Sequence, residues 1–296
     1  MRFSILEPGS SAGVGTDGLM ATADGKRGTQ PAAEPAPGFH CVQNRLLASL
    51  GRDEYAGLRP FLQAVPLRKH QILQEPNRPM EHAFFIEDGA ASVLSRTRRD
   101  GAVEVAIVGR FGCIGVPLFL GTMRSPHRSV VRIAGRALRI SAADLHDAKQ
   151  RVPTLQRIAG QYIQARMVQQ SQVSLCNARH PLQERLCRWL LLVHDRIEGD
   201  DIPVTHDLLS HALGVRRAGV TKAFARLEEK GAIERGRGRI RIRDVESLEA
   251  CACECYRIIF EEYELILSAG AGSGRPPVRN AEARQAAAAG AGPALT

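Results

Sequence analysis

The stretch THDLLSHALGVRRAGVTKAFARLEEK (residues 205–230) decides how the chain is read. Thr205 is suited to cap a helix, because its hydroxyl can accept from a backbone N–H of the first turn. Leu208, Leu209, Ala212 and Leu213 then give a short helix one apolar face. Gly214 supplies a turn, and Val220, Phe224 and Leu227 recur behind it at helical spacing. Helix, tight glycine turn and helix form the helix-turn-helix pattern.

The second helix opens Arg216-Arg217-Ala218-Gly219-Val220-Thr221-Lys222. In this motif the N-terminal residues of the second helix enter the major groove of double-stranded DNA. Arg217, Gly219, Thr221 and Lys222 are the expected base-contacting positions. Arg and Lys can donate to guanine O6 and N7, and Thr can bond bases or touch a thymine methyl. The plain alternative is a solvated basic face. Cations at a helix N-terminus oppose its dipole, however, unless an anion compensates them. Residues 231–242 follow as two apolar-alternating segments around an Arg/Gly turn, which predicts a hairpin, or wing, with Ile233, Ile240 and Ile242 inward. Thr205, His206, Arg216, Arg235, Arg237 and Arg239 are the expected phosphate contacts, which position a protein without reading sequence.

Charge agrees with this placement. Of 296 residues, 40 are Lys or Arg and 31 are Asp or Glu, giving +9. Residues 205–243 alone contribute +6 of it. A basic balance concentrated on one motif fits a polyanionic partner. The 44% hydrophobic content suffices for a sizeable core. No apolar run approaches the roughly 18 residues of a membrane span. The N-terminus lacks a charged-then-apolar export signal, so the seven cysteines read as reduced thiols of a cytoplasmic protein.

Outward from the motif, five regions are expected. Residues 1–38 and 269–296, rich in Gly, Ala and Pro, read as a disordered leader and tail. Residues 39–150 read as a sensor-like domain. Within it, residues 43–60 suggest two short helices broken near Gly51. Short apolar segments at Ala83–Ile86, Ala91–Leu94, Val103–Val108, Val130–Ile133 and Ala137–Ile140 suggest about eight antiparallel strands in a sandwich or barrel, with Asp100-Gly101 as a hairpin turn. Residues 151–179 read as one long helix, with Ile158, Tyr162, Ile163, Met167 and Val173 at helical spacing. It is either a dimerisation helix or an ordinary core helix. Residues 180–268 hold the winged helix-turn-helix, preceded by a helix from Pro181 to Arg196. The hinge between domains is expected near Asn177–His180.

The segments from His82 to Val93, from Gly109 to Val116 and from Leu213 to Lys222 resemble, in order and spacing, the Crp/Fnr family of bacterial transcription regulators. The similarity covers roughly residues 40–266. It implies an α+β chain: an N-terminal antiparallel β-roll (jelly-roll-like, of the cyclic-nucleotide-binding type), a long dimerisation helix and a C-terminal winged helix-turn-helix. It also implies a homodimer on near-palindromic DNA, and contact with RNA polymerase if the protein activates transcription. Ala218 stands where the family's recognition helix usually has Glu, which changes the DNA sequence expected to be read. The matching effector pocket is Gly112, Cys113, Arg128 and Ser129. Arg128 is either a phosphate partner or a structural arginine. Cys113 replaces the Glu that accepts from a ribose hydroxyl, which argues against cyclic AMP and leaves the effector unknown. The N-terminal cysteine cluster of the iron–sulfur branch is absent.

Cys251, Cys253 and Cys255 form a Cys-x-Cys-x-Cys run. On a helix the first and last share a face; on a strand all three do. Metal sites usually have two to four residues between ligands, so no metal site or certain cofactor is expected. Leu248, Tyr256 and Ile259 instead suggest packing along an amphipathic C-terminal helix. No catalytic Ser/His/Asp order, phosphate-cradling loop or His-Glu-x-x-His motif stands out, so no enzyme is expected. Two rivals to the DNA regulator remain: a small-ligand signalling module whose helix-turn-helix scaffolds partners, and a thiol or metal redox sensor.

Overall fold

The structure is a computed structural model that describes residues 34–97 and 101–268. The leader up to residue 33, the tail from 269 and the turn at 98–100 lie outside the described residues. The order expected from sequence is found: antiparallel sheet, long helix, helix-turn-helix.

The first ordered strand, β1 (Glu34–Pro35), precedes the expected start at residue 39. It pairs with β2 (Gln63–Leu67). Tyr55 Oη donates to the Pro37 carbonyl at 3.0 Å and Arg59 Nε to the Ala36 carbonyl at 3.0 Å. These partners satisfy backbone that its composition alone marked as a leader. Between the two strands lie the expected short helices, α1 (Arg45–Ala48) and α2 (Arg52–Leu58), broken at Gly51.

The sheet continues through β3 (Ile72–Gln74), β4 (His82–Thr97), β5 (Gly101–Val108) and β6 (Cys113–Ile114). After the short helix α3 (Val116–Phe119) it ends with β7 (Arg128–Ser141). It holds seven described strands in the order β1-β2-β7-β4-β5, with β3 on β7 and β6 on β4. The count falls below eight because two expected pairs of strands are single long ones. β4 runs through Gly89 and β7 through Gly135. The β4–β7 ladder shifts register there and continues from His82↔Ser141 to Leu94↔Arg128.

Strand alternation sorts the core. On β4, Phe84 and Ile86 join Val93, Val108, Val131 and Ala137 inside the roll. Ala83 and Phe85 point the other way, into the larger core formed with the helices. Phe85 meets Phe119 edge-on at 6.2 Å. Ser141 caps α4 (Ala142–Arg151), its Oγ accepting from Asp144 N at 3.0 Å.

Pro153 then opens α5 (Pro153–Arg179), where a missing N–H costs nothing. At 27 residues it is about 40 Å long. Its inner face buries Leu155, Ile158, Ala159, Tyr162, Ala165, Gln169 and Cys176. His180 is extended and ends α5. Pro181 caps the next helix, α6 (Leu182–His194). The C-terminal domain continues with β8 (Asp201–Ile202), α7 (His206–Leu213), α8 (Arg217–Glu229), β9 (Ile233–Gly236), β10 (Arg239–Ile242) and α9 (Val245–Cys251). It closes with α10 (Cys255–Ser268), whose Tyr263 Oη donates to Gln169 Oε1 of α5 at 2.8 Å.

The roll meets α5 at Gly112. The Gly112 carbonyl accepts from the fully buried Asn44 Nδ2 at 2.9 Å. A Cβ at this position would lie 2.3 Å from the hydroxyl of Tyr162, which itself donates to the Cys113 carbonyl at 3.3 Å. Gly112→Ala is therefore expected to lower unfolding stability by about 1–3 kcal/mol through overpacking. Gly160→Ala, in an exposed turn of α5 with open space around it, is expected to raise stability by about 0.5–1 kcal/mol. Urea unfolding midpoints read both; a neutral Gly112 variant would contradict the close contact.

Candidate nucleic-acid interface

Local chemistry builds the helix-turn-helix. Thr205 Oγ1 accepts from Leu208 N at 3.2 Å and caps α7. Gly214 ends that helix at φ +62°, a left-handed conformation that costs glycine little. Arg185 of α6 donates to the Leu213 carbonyl and holds this corner onto the preceding helix. Val220, Ala223, Phe224 and Leu227 of α8 are buried, which includes all three expected inward positions.

At the N-terminal end of α8, Arg217, Thr221 and Lys222 are exposed. No acidic residue occupies the first turn. Thr221 Oγ1 donates back to the Arg217 carbonyl at 3.2 Å. Gly219 corrects the expectation. It is half-buried, and a Cβ there would lie 3.1 Å from Leu182 Cδ2. It faces α6, and the small residue exposed on the basic face is Ala218. One residue of helical rotation, about 100°, separates the two.

The wing is a three-stranded sheet in the order β8-β10-β9; β8 had no clear sequence signal. Arg241 grips Asp201 through Nε at 3.0 Å and Nη2 at 2.6 Å, and Arg243 pairs with Glu234. Arg235 is engaged within the protein. Its backbone N donates to Glu228 Oε1 at 3.0 Å and its Nε to Oε2, so it ties the wing to α8, although the residue remains exposed. The same pairing holds the Glu228 carboxyl below its ordinary pKa. His206 is engaged as well. Its ring packs edge-on against Phe224 at 5.2 Å and its Nε2 is buried. Arg216, Arg237 and Arg239 are exposed, the last two flanking the wing turn at Gly238.

A cavity of about 190 Å³ lies between the roll and α5. Cys113 and Ser129 line it, together with Ser125, His127 and Arg166. Burial pushes the Cys113 thiol up to about 12, so it is neutral at physiological pH. The Arg128 guanidinium is bound bidentately by Glu75 at 2.9 and 3.1 Å, which favours its structural reading. The cation of the cavity is Arg166, whose Nη1 donates to Tyr162 Oη at 3.3 Å while its buried Nε lacks a partner among the described residues. Sequence reasoning missed Arg166. A lone arginine in a long helix carries no signal of what faces it.

The three C-terminal cysteines do not share one helix. Cys251 ends α9, Cys253 lies in the break and Cys255 opens α10.

Residues 184–251 match the Crp-like helix-turn-helix domain. Among curated proteins, none matches the chain significantly in sequence. Solved structures share its fold. FixK2 from Bradyrhizobium japonicum is 16% identical, with a TM-score of 0.55 over 65% of this chain and 98% of its own. A Crp/Fnr-family transcriptional regulator from Eubacterium rectale is 14% identical, with a TM-score of 0.52 over 70% and 96%. The c-di-GMP-responsive global regulator CLP of Xanthomonas campestris is 14% identical, with a TM-score of 0.51 over 65% and 99%. The chain thus has the fold of Crp/Fnr transcription regulators and carries a Crp-like helix-turn-helix domain at residues 184–251.

Proposed function

We propose that the chain is a sequence-specific DNA-binding transcription regulator that acts as a homodimer on near-palindromic sites. The observation that carries this reading is the N-terminal end of α8, where exposed Arg216, Arg217, Thr221 and Lys222 converge on a positive helix terminus with no acid in the first turn. That is a surface built for a polyanion. Arg217, Ala218, Thr221 and Lys222 read bases, while Arg216, Arg237 and Arg239 lie along phosphates. The Thr205 backbone adds to that contact, its side chain being used for the cap. Two such helices in successive major grooves require half-sites about one helical turn apart. As an activator, the dimer also contacts RNA polymerase. A cytoplasmic setting suits seven unpaired cysteines, and among the described residues no helix is long and apolar enough to cross a membrane.

The dimer surface is formed by the exposed apolar residues of α5. Met167 is 59% exposed and Leu175 47% exposed; Met167 and the half-buried Ile163 also line the mouth of the cavity beside Arg166, so a second copy would border it. Unpaired apolar side chains on so long a helix suit a second copy. The cavity beside Arg166 supports an effector site for a small ligand carrying negative charge. The neutral Cys113 and the engaged Arg128 argue against cyclic AMP.

Selection from random duplex DNA by the purified chain is expected to enrich a two-fold-symmetric site. Arg217→Ala is expected to relax base preference at one position per half-site at a cost of about 1–3 kcal/mol. Arg237→Ala is expected to weaken all sequences alike and to reduce the salt slope by about one. Unchanged preference in the Arg217 variant overturns the base-contact assignment. Sedimentation is expected to give a dimer, with Met167→Glu shifting it to monomer and weakening binding to the symmetric site. A monomeric wild type overturns the dimer.

A further inference from the structure

The end of α5 brings four potential ligands together. Cys176 lies in the last turn of α5, and His180, the residue that ends the helix, donates its backbone N–H to the Cys176 carbonyl at 3.0 Å. Cys253 and Cys255 meet them from the break between α9 and α10. The three Sγ atoms and a ring nitrogen of His180 all lie within 4.8 Å of one another. Cys176 Sγ is 3.5 Å from Cys253 Sγ, and Cys255 Sγ is 3.6 Å from His180 Nδ1. A tetrahedral zinc ion, with bonds of about 2.3 Å to sulfur and 2.0 Å to nitrogen, sets its ligands about 3.8 Å apart for two sulfurs and about 3.5 Å apart for sulfur and nitrogen. The observed separations lie close to those edges. A disulfide would need about 2.05 Å, and all three cysteines are free.

Burial separates this group from ordinary packing. Cys176 and Cys255 are 0% exposed and Cys253 8% exposed. They form an apolar cluster of their own, containing no aliphatic or aromatic side chain. Three thiolates and a dication leave one negative charge, and compensating cations are at hand. Arg188 acts electrostatically on Cys255 and Arg185 on Cys176. Arg188 is 4% exposed, and its Nε has no hydrogen-bond partner among the described residues.

We infer that Cys176, His180, Cys253 and Cys255 bind one zinc-type divalent ion, which ties the α5–α6 junction to the α9–α10 break. On binding, the three thiol protons pass to solvent and His180 coordinates in its neutral form. Four protein ligands close the coordination shell, so the site is structural and not catalytic. A sulfide-bridged iron cluster spreads its four ligands over at least two irons, which does not suit four ligand atoms that all lie within 4.8 Å of one another. The spacing within the Cys-x-Cys-x-Cys run by itself points away from a metal. Cys251 belongs elsewhere, receiving a hydrogen bond from Lys230 Nζ at 3.3 Å, and the missing ligands are a Cys-x₃-His pair some 75 residues earlier. The ion sits at the hinge between long helix and DNA-reading domain, so its bearing on DNA rests on the reading above.

The test uses the full chain, reduced and stripped with chelator, titrated with Co²⁺ and with Zn²⁺. One Co²⁺ per chain is expected, with tetrahedral d–d bands and a thiolate charge-transfer band that stoichiometric Zn²⁺ displaces. Zn²⁺ is expected to raise the melting temperature. Cys253→Ser combined with Cys255→Ser is expected to abolish the bands, while Cys187→Ser combined with Cys251→Ser keeps them. Should the first variant fail to fold, alkylation of the wild type in enough urea to open the buried cluster decides: metal is expected to protect Cys176, Cys253 and Cys255 but leave exposed Cys41 reactive. Absence of the thiolate–cobalt band in the folded, reduced wild type, or no metal-dependent protection, overturns the site. None of these readouts involves DNA, so failure of the DNA-binding reading leaves them unaffected.

Discussion

Arg196 is the constraint on which the arrangement of the chain depends. The residue is 2% exposed, and its guanidinium stands where four parts of the protein meet. Nη1 donates to the Leu192 carbonyl of α6 at 2.6 Å, and Nη2 to Gln169 Oε1 of α5 at 3.4 Å. It lies 5.8 Å from the ring centre of Phe111 in the roll and 5.0 Å from that of Tyr263 on α10. A buried cation is costly unless its desolvation is offset. Here two carbonyl-type acceptors and two aromatic faces supply the offset, and they come from separate elements. Removing any one leaves a charge poorly compensated, so the elements hold each other in one relative position.

A second bridge runs parallel to it. Trp189 Nε1 of α6 donates to Glu104 Oε1 of β5 at 2.9 Å, and Ser92 donates to the other carboxyl oxygen. Burial raises the Glu104 pKa, with these hydrogen bonds opposing the rise. The helix-turn-helix domain is therefore docked on the roll through polar contacts and does not merely hang from the end of α5. Such contacts are geometrically strict, because a misplaced buried donor or acceptor goes unsatisfied. A reorientation of the domain relative to the roll would have to break them.

Charge is deployed in two ways. Arg235, Arg241 and Arg243 are consumed by Glu228, Asp201 and Glu234 and shape the wing. Arg216, Lys222, Arg237 and Arg239 stay exposed. The net charge of +9 counts both groups alike, although the first is partly neutralised by its acidic partners.

Much of this was legible in residues 205–242, where local rules act alone. The Thr205 cap, the Gly214 turn, the period of Val220, Phe224 and Leu227, and the wing hairpin all depend on neighbours a few residues away. The long helix was equally plain from Pro153 to Arg179. Tertiary structure decided which side of α8 packs, and so exchanged Gly219 for Ala218. It decided that β4 and β7 run on through their glycines, because the partner strand continues the ladder. It also ordered Glu34–Gly38 through Tyr55 and Arg59, paired Arg128 with Glu75, and made Arg166 the cation of the cavity. The Cys176–His180–Cys253–Cys255 group is the clearest case. The end of α5 sets the first pair side by side, but only the return of α10 along α5 brings the second pair within reach, and chain distance carries no record of that approach.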